Sequence, residues 1–247
     1  MCTLAFAVRP SAGVLLAVTG NRNEFLARPA APPRVWPDLP RVLMPRDEKA
    51  GGTWLGLTAR GLFVCVTNRR TASADPSRRS RGLLVLEALR VPDAAAVRDL
   101  SSSLPPSRYN GFHLVFADAR EAGVAICDGE RLEVRPLAPG EAHLVTERSY
   151  GAGEGVREAE VLREVAPLLL NPAVTAAMLR PPMQRHGPSP LEGACVHADE
   201  LGYGTRSSIQ LVLRSSGPDF LWTQGHPCTN PPQDLSPAAA ALLGIVA

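Results

Sequence analysis

Residues 1–28 have the sequence MCTLAFAVRPSAGVLLAVTGNRNEFLAR, in which two apolar runs are followed by a polar cluster. Two apolar, β-prone runs, 3–8 and 14–18, lie on either side of the turn sequence Pro-Ser-Ala-Gly at 10–13. This pattern predicts a β-hairpin. Its first strand would begin at Cys2, and its second strand would bring the polar cluster 21–28 beside that cysteine.

Cys2 would become the N-terminal residue if Met1 were removed, and one residue would then carry both a thiol and a free α-amine. An α-amine titrates near neutral pH, so it can accept the thiol proton and activate its own side chain as a nucleophile. The simpler interpretation is that Cys2 is a small buried apolar residue, as free cysteines often are. The dipeptide alone leaves both interpretations open.

Length and composition predict a globular protein with a sizeable core. The chain has 247 residues, of which 45% are hydrophobic, and a formal net charge of +2. A nearly neutral chain without a long basic segment is not expected to bind nucleic acid. No run approaches the roughly 18 apolar residues of a membrane-spanning helix. Five cysteines and no recognisable signal peptide predict free thiols in a reducing cytoplasm.

The order of elements predicts strands, then helices, then strands again. Helical periodicity is expected over 82–90, 93–102 and 155–170, with shorter helices at 172–179 and 235–246. Further strands are expected over 53–58, 62–67, 112–117, 124–127, 132–136, 143–146, 194–197, 207–213 and 220–223.

Three segments are predicted to be loops. Proline-rich residues 29–46 are expected to form an ordered surface loop that Trp36 and Leu39 pin to the body, because proline disfavours regular helix and central strand. Residues 71–80 and 181–190 are expected to be loops as well. The pattern as a whole predicts two β-sheets with helices outside them, in a single domain spanning 1–247.

The polar cluster at 21–29 resembles the signature of the NRDE family, the group that includes the transport-and-Golgi-organisation type 2 proteins. The resemblance spans residues 2 to about 214 and departs from the family at Asn23, which replaces the aspartate of its name. It implies an α+β fold, the αββα sandwich of the Ntn-hydrolase-like superfamily. The other matching segments appear in the family's order: Ala50-Gly51-Gly52-Thr53-Trp54-Leu55-Gly56, Val66-Thr67-Asn68-Arg69-Arg70, Ser80-Arg81-Gly82, Tyr109-Asn110-Gly111-Phe112 and Tyr203-Gly204-Thr205-Arg206-Ser207-Ser208.

A weaker resemblance extends to the cysteine amidases that cleave bile-salt conjugates and penicillin V. It implies that Cys2 is the nucleophile, that Arg22 contacts it, that Asn68 donates to an oxyanion and that Arg206 supports the site. The set is chemically coherent, because a guanidinium stabilises a thiolate and an amide N–H stabilises a tetrahedral oxyanion. The aspartate of those enzymes would fall at Phe25, which is a departure. Their second asparagine, in a Thr-Asn pair, would fall at 146–147, which is Thr-Glu here.

Five further residues of the matching segments are assigned to substrate binding: Asn21, Asn23, Glu24, Trp54 and Asn110. Structural roles compete with the chemical ones. Arg22 and Glu24 would equally serve as an ion pair that fixes the end of the hairpin. Asn68 would equally serve as a turn residue that hydrogen-bonds its own backbone.

Two pairs near the carboxyl end, Cys195 with His197 and His226 with Cys228, supply the ligand types of a zinc site. Their one-residue gaps depart from the usual spacing of two to four residues, so no metal site is assigned and the zinc alternative stays open.

A haem ligand among His113, His197, His226 and Cys2 also stays open. No cofactor is assigned.

The sequence is compatible with two functions. The first is an N-terminal cysteine hydrolase, an amidohydrolase or acyltransferase that acts on a small amide or acyl substrate through Cys2. The alternative, which the family resemblance implies, is a non-enzymatic carrier or chaperone for haem, acyl-CoA or lipid. The expected partner is a small-molecule substrate or hydrophobic ligand, and the sequence leaves the oligomeric state open.

Overall fold

The computed structural model describes residues 2–71, 74–148, 150 and 156–245. The chain divides into two compact units, Met1–Arg28 with Pro139–Ala240, and Pro29–Ala138 with Ala241–Ala247. We call them unit 1 and unit 2. The prediction of one domain over 1–247 stays a prediction.

The described residues form strands and helices throughout both units. The strands are β1 (Thr3–Ser11), β2 (Val14–Phe25), β3 (Ala30–Trp36), β4 (Leu39–Asp47), β5 (Leu55–Thr58), β6 (Phe63–Asn68), β7 (Phe112–Ala117), β8 (Ala122–Cys127), β9 (Leu132–Pro136), β10 (Ala142–Thr146), β11 (His197–Ala198), β12 (Tyr203–Arg214), β13 (Gly217–Gln224) and β14 (Gln233–Asp234). The helices are α1 (Arg81–Ala88), α2 (Ala94–Ser102), α3 (Val156–Leu169), α4 (Arg180–Met183) and α5 (Ser236–Leu243).

Unit 1 contains a seven-stranded antiparallel sheet built around the predicted hairpin. Its strand order is β10-β1-β2-β12-β13-β14, and β11 also pairs with β12. Small apolar residues of β1 and β2 pack with α3 in one buried cluster that includes Ala5, Ala17, Val165 and Leu169. The hairpin is confirmed, and β2 continues to Phe25, so that the polar cluster lies within the strand.

Unit 2 contains a second seven-stranded antiparallel sheet, in the order β3-β4-β5-β6-β7-β8-β9. Helices α1 and α2 share a buried apolar cluster with this sheet, including Leu84, Val97, Leu114 and Phe116. Both helices have side-chain N-caps, as Ser80 accepts from Gly82 N and Asp93 accepts from Ala96 N. The predicted helices 82–90 and 93–102 are confirmed within about two residues at each end.

The prediction of a loop over 29–46 is wrong, because these residues form β3 and β4. Strand β3 lies at an end of the sheet order, and its pairing with β4 shifts between Ala31 and Arg34, which brackets Pro32 and Pro33. An edge position and a bulge are where a strand tolerates proline, since no ladder N–H is then required. The predicted anchoring is confirmed, because Trp36 is buried in the apolar cluster of unit 2 and Leu39 packs against that cluster.

Three smaller predictions are also wrong. Residues 172–179 form turns instead of a helix, because Asn171 Oδ1 accepts from Ala173 N and Asp219 Oδ2 accepts from Ala176 N. These side chains take amide hydrogens that helical carbonyls would otherwise accept. The strand predicted over 194–197 is reduced to β11, and 181–190 begins with the short helix α4. Three predicted segments lie partly outside the described residues: the helices over 155–170 and 235–246 and the loop over 71–80.

All the sheet pairings in the described chain are antiparallel, and helices are added to both sheets, which confirms the α+β class. Within the same residues, no helix combines the length and the apolar character needed to cross a membrane.

The N-cap of α2 gives a test of this local structure. Asp93→Ala removes the acceptor that lies 2.9 Å from Ala96 N, so we expect the free energy of unfolding to fall by about 1 kcal/mol in urea titration. Asp99→Ala is the matched control, since the Asp99 carboxylate is exposed on α2 and forms a surface ion pair with Arg98 at 3.2 Å, which contributes little to stability. Equal losses in the two variants would contradict the capping role.

Candidate functional site

Cys2 lies directly before β1 and is half-buried. Its Sγ lies 3.8 Å from the backbone oxygen of Asn23, to which the thiol is a weak donor. Strand β1 pairs with β2 so that Thr3 is opposite Asn21, and the next residue of β2, Arg22, therefore continues across from Cys2. The hairpin thus brings Cys2 and the polar cluster together, as the sequence predicts.

Arg22 is buried, with 9% of its side chain exposed, and its Nη2 lies 3.5 Å from Glu24 Oε2. Glu24 also lies 3.8 Å from Arg28 Nε and accepts from Phe25 N at 3.0 Å. The ion pair expected as the structural alternative therefore forms. It places a guanidinium on the strand beside Cys2 and holds that group in position with a carboxylate.

Glu147 is a neighbour of Cys2 that sequence reasoning did not assign. Strand β1 also pairs with β10, with Thr3 opposite Thr146, so Glu147 follows across from Cys2 on the other side. Glu147 is buried, and Thr146 Oγ1 lies 3.4 Å from Oε1 of the buried Glu158. The Thr-Glu pair at 146–147 differs from the Thr-Asn pair of the resembled amidases, and the pairing of β1 with β10 shows that Glu147 follows across from Cys2.

Asn21 and Asn23 are both buried and hold backbone or side-chain partners. Asn21 Nδ2 donates to Met183 O and to Ala194 O, each at 2.8 Å. Asn23 Oδ1 accepts from Thr205 Oγ1 at 2.7 Å. These contacts give both residues a positioning role, and their assignment to substrate binding stays a prediction.

Arg206 is the extra residue of a β-bulge. Strand β12 pairs Thr205 with Asn23 but Ser207 with Arg22, so Arg206 has no opposite residue on β2. Bulges change the direction in which a side chain points and are frequent beside active sites. The structure therefore brings Arg206 to the end of the sheet where Cys2 and Arg22 lie.

Three predicted residues, Asn68, Trp54 and Asn110, belong to unit 2. Asn68 is exposed at the end of β6, and Trp54 is half-buried against the apolar cluster of the unit. Asn110 is anchored to one backbone position, since its Oδ1 accepts from Asp75 N at 2.8 Å and its Nδ2 donates to Asp75 O at 2.7 Å. Asn110 therefore fixes residue 75 of the predicted loop, and the chemical roles of all three stay predictions.

The glycine-containing segments of unit 2 pack backbone against backbone. Thr53 N donates to Gly82 O at 3.2 Å, and a Cβ on Gly52 would lie 2.5 Å from the carbonyl carbon of Gly82. Arg69 N donates to Gly111 O at 2.9 Å, where a Cβ on Gly111 would lie 2.7 Å from Arg69 O. Glycine is required here because the two backbones approach too closely for a side chain.

His113, one of the haem-ligand alternatives, is 1% exposed within β7. Its Nδ1 lies 3.5 Å from Thr67 Oγ1. Burial, with the nearby Arg69 charge, lowers the pKa of His113 to about 4. The imidazole is therefore neutral at physiological pH in the folded protein.

Sulfur and imidazole ligands gather at a third place, in unit 1. Single ligand atoms of His186, Cys195, His197 and Cys228 all lie within 4.8 Å of one another. The rings of His197 and His226 are stacked, with 3.8 Å between centroids. Burial, followed by the hydrogen bond with Cys228, raises the pKa of the Cys195 thiol to about 12 when no cation is present. The sequence pairs are thus brought together, with His186 as a member that sequence spacing did not indicate.

Comparison with known families and curated proteins gives consistent matches. A family model described as "Transport and Golgi organisation 2" matches residues 1–152. The "Transport and Golgi organization protein 2 homolog" of Bos taurus is 31% identical over 237 residues, which cover 82% of this chain and 83% of the bovine protein. The Homo sapiens homolog is 34% identical over 149 residues, which cover 58% of this chain and 51% of the human protein.

Solved structures share the fold at low sequence identity. A Caenorhabditis elegans N-acylethanolamine-hydrolyzing acid amidase ortholog superposes with a TM-score of 0.58 at 13% identity, over 85% of this chain and 92% of that one. A variant of the conjugated bile acid hydrolase from Clostridium perfringens gives a TM-score of 0.51 at 12% identity, over 95% and 92% of the two chains. These similarities confirm the predicted Ntn-hydrolase-like fold.

The hydroxyl of Thr205 provides a test of the contacts around Asn23. It donates to Asn23 Oδ1 and accepts from Val196 N at 2.8 Å, so Thr205→Val removes a partner from two buried groups. We expect the free energy of unfolding to fall by about 1–3 kcal/mol. Thr205→Ser keeps the hydroxyl and should lose clearly less in the same denaturant titration. A valine variant as stable as wild type would contradict the role given to this hydroxyl.

The lowered pKa of His113 predicts a pH dependence of stability. Below about pH 6.5 the unfolded chain takes up a proton at His113 while the folded protein does not until about pH 4. The stabilisation that this neutral histidine retains at pH 7 is therefore lost progressively as the pH falls from about 6.5 to about 4. His113→Gln should flatten this part of the curve of unfolding free energy against pH, and an unchanged slope would refute the assignment.

Proposed function

Because the chain belongs to the Transport and Golgi organisation 2 family and has an Ntn-hydrolase-like fold, we propose that it is an N-terminal cysteine hydrolase. The proposed reaction is hydrolysis or transfer of the acyl group of a small amide or related acyl compound. The observation that carries the proposal is the placement of Cys2. It lies half-buried at the start of β1, across from the buried Arg22 and against the backbone of Asn23.

The proposed mechanism requires removal of Met1, so that the α-amine of Cys2 is free. The amine takes the thiol proton, and the sulfur attacks the substrate carbonyl to form a tetrahedral intermediate. The carbon–nitrogen bond of this intermediate then breaks, which leaves a thioester on Cys2, and the amine product leaves with the proton that the α-amine had taken. Water then attacks the thioester, releases the carboxylic acid and restores the thiol, while an acyltransferase reaction would use a second nucleophile instead of water.

Arg22 has a supporting role in this proposal. Its guanidinium is on the strand beside Cys2 and is held by Glu24 at 3.5 Å, so it provides a fixed positive charge near the thiolate. Arg206 reaches the same end of the sheet through the bulge in β12. The oxyanion donor predicted at Asn68 belongs to unit 2 and stays a prediction.

The chemical class of the first substrates to test comes from the structural neighbours. One is named as an amidase that hydrolyses N-acylethanolamines, which are amides of carboxylic acids. We therefore propose N-acyl amides with acyl chains of different length as the test panel.

The experiment measures amine release from this panel by wild type, Cys2→Ala and Cys2→Ser. Loss of the thiol should reduce turnover at least about 100-fold, because the nucleophile is removed while the fold is kept. Cys127→Ser is the matched control, since Cys127 is a buried thiol of unit 2 that the mechanism does not use. Its turnover should remain close to that of wild type.

The carrier alternative, for haem, acyl-CoA or lipid, predicts another result. Amide turnover would be absent in wild type, while the wild-type protein would bind haem, an acyl-CoA or a lipid without converting it. Turnover that survives in Cys2→Ala would likewise contradict the proposed mechanism.

A further inference from the structure

We propose that His186, Cys195, His197 and Cys228 bind one zinc ion in a four-ligand structural site. The site lies in unit 1 and is independent of the function proposed for Cys2. Its ligand set, two sulfurs and two imidazoles, is a combination that binds zinc in tetrahedral geometry. Two thiolates and two neutral imidazoles would also balance the charge of a divalent cation.

The distances between ligand atoms agree with a tetrahedron. Cys195 Sγ lies 3.6 Å from His197 Nε2 and 3.5 Å from Cys228 Sγ, and His197 Nε2 lies 3.1 Å from Cys228 Sγ. Zinc bonds of about 2.3 Å to sulfur and about 2.0–2.1 Å to nitrogen give tetrahedral edges of about 3.3–3.8 Å. Two of these three distances fall within that range and the third, 3.1 Å, is slightly shorter, so the three atoms lie about as far apart as ligands of one central ion.

His186 and Cys195 are held together by the closure of the loop between them. Cys195 N donates to Arg185 O at 2.9 Å. Gly187 and Gly193 lie in backbone contact, since a Cβ on Gly193 would be 2.6 Å from Gly187 N. This closure places the two ligands side by side although eight residues separate them in the sequence.

Cys228 is held by a separate turn. Asn230 N donates to His226 O at 2.9 Å, which closes the turn around Cys228. Arg180 Nη2 donates to Pro227 O at 2.8 Å, and Gln184 Nε2 donates to the same oxygen at 2.9 Å. The segment that precedes His186 is thus tied to the turn that carries Cys228, so the ligands converge without a shared strand or helix.

The surroundings fit a structural ion. Residues 184–196 contain no strand or helix, and a bound metal is a common way to order such a segment in a small unit. His186 is exposed, which gives an ion a path to the buried Cys195. His226 stacks on His197 and supports its ring without belonging to the ligand set.

The test uses the full chain, purified under reducing conditions after growth with zinc. Elemental analysis should find one zinc per chain in wild type. Cys195→Ser and Cys228→Ser should lower zinc affinity at least ten-fold, and His186→Gln should weaken it as well. His226→Gln is the matched control and should retain one zinc per chain, because its ring only supports a ligand.

A measurement on wild type keeps the test independent of variant folding. Cobalt added to protein freed of metal should produce the absorption bands of a tetrahedral, thiolate-ligated ion at one equivalent. Absence of both zinc and a cobalt spectrum in a chain with reduced thiols would overturn the proposal. A Cys195–Cys228 disulfide in intact-mass measurement, with no metal bound after reduction, would overturn it too. Loss of zinc in His226→Gln together with full retention in His186→Gln would refute the proposed ligand set.

Discussion

The buried amide of Asn21 is the contact on which unit 1 depends. Its Nδ2 group donates to Met183 O and Ala194 O, which lie 162 and 173 residues further along the chain. Both oxygens flank the loop that carries His186 and leads to Cys195. A buried amide that lost these acceptors would cost more than the two hydrogen bonds contribute in water, because its donors would have no replacement.

Strand β2, which carries Asn21, also positions the other polar residues of unit 1. It pairs with β1 on one side and β12 on the other, so a single strand positions Arg22 beside Cys2 and sets the bulge at Arg206. The polar cluster that defines the family signature is thus largely an internal scaffold. Asn21, Asn23 and Glu24 all make contacts that fix neighbouring backbone or side chains, and the sulfur of Cys2 lies at the end of this scaffold.

Much of the fold follows from local sequence, and the exceptions have physical reasons. Strands β7 and β9 begin and end as predicted, because alternation and short turns suffice to specify them. The strands within 29–46 could not be recognised, because the exclusion of proline from strands does not hold at an edge with a bulge. The turns within 172–179 depend on Asp219, a partner that no local pattern indicates.

The sequence likewise predicts only those contacts of the candidate site that are local in the chain. Cys2, Arg22 and Glu24 are brought together by a hairpin that the sequence specifies. Glu147 becomes a neighbour of Cys2 only through the pairing of β1 with β10, which joins distant parts of the chain. His186 joins the sulfur ligands only through loop closure, so regular ligand spacing could not reveal it.

Intact-mass analysis decides whether Cys2 is a free N-terminal nucleophile. The natively expressed protein would be weighed before and after brief treatment with a thiol-reactive alkylating probe, and the labelled peptide would be identified. We expect a mass without Met1 and one rapid addition located on Cys2, while the buried Cys65, Cys127 and Cys195 react slowly. Retention of Met1, or a Cys2 that does not react faster than the buried thiols, would exclude the proposed N-terminal nucleophile.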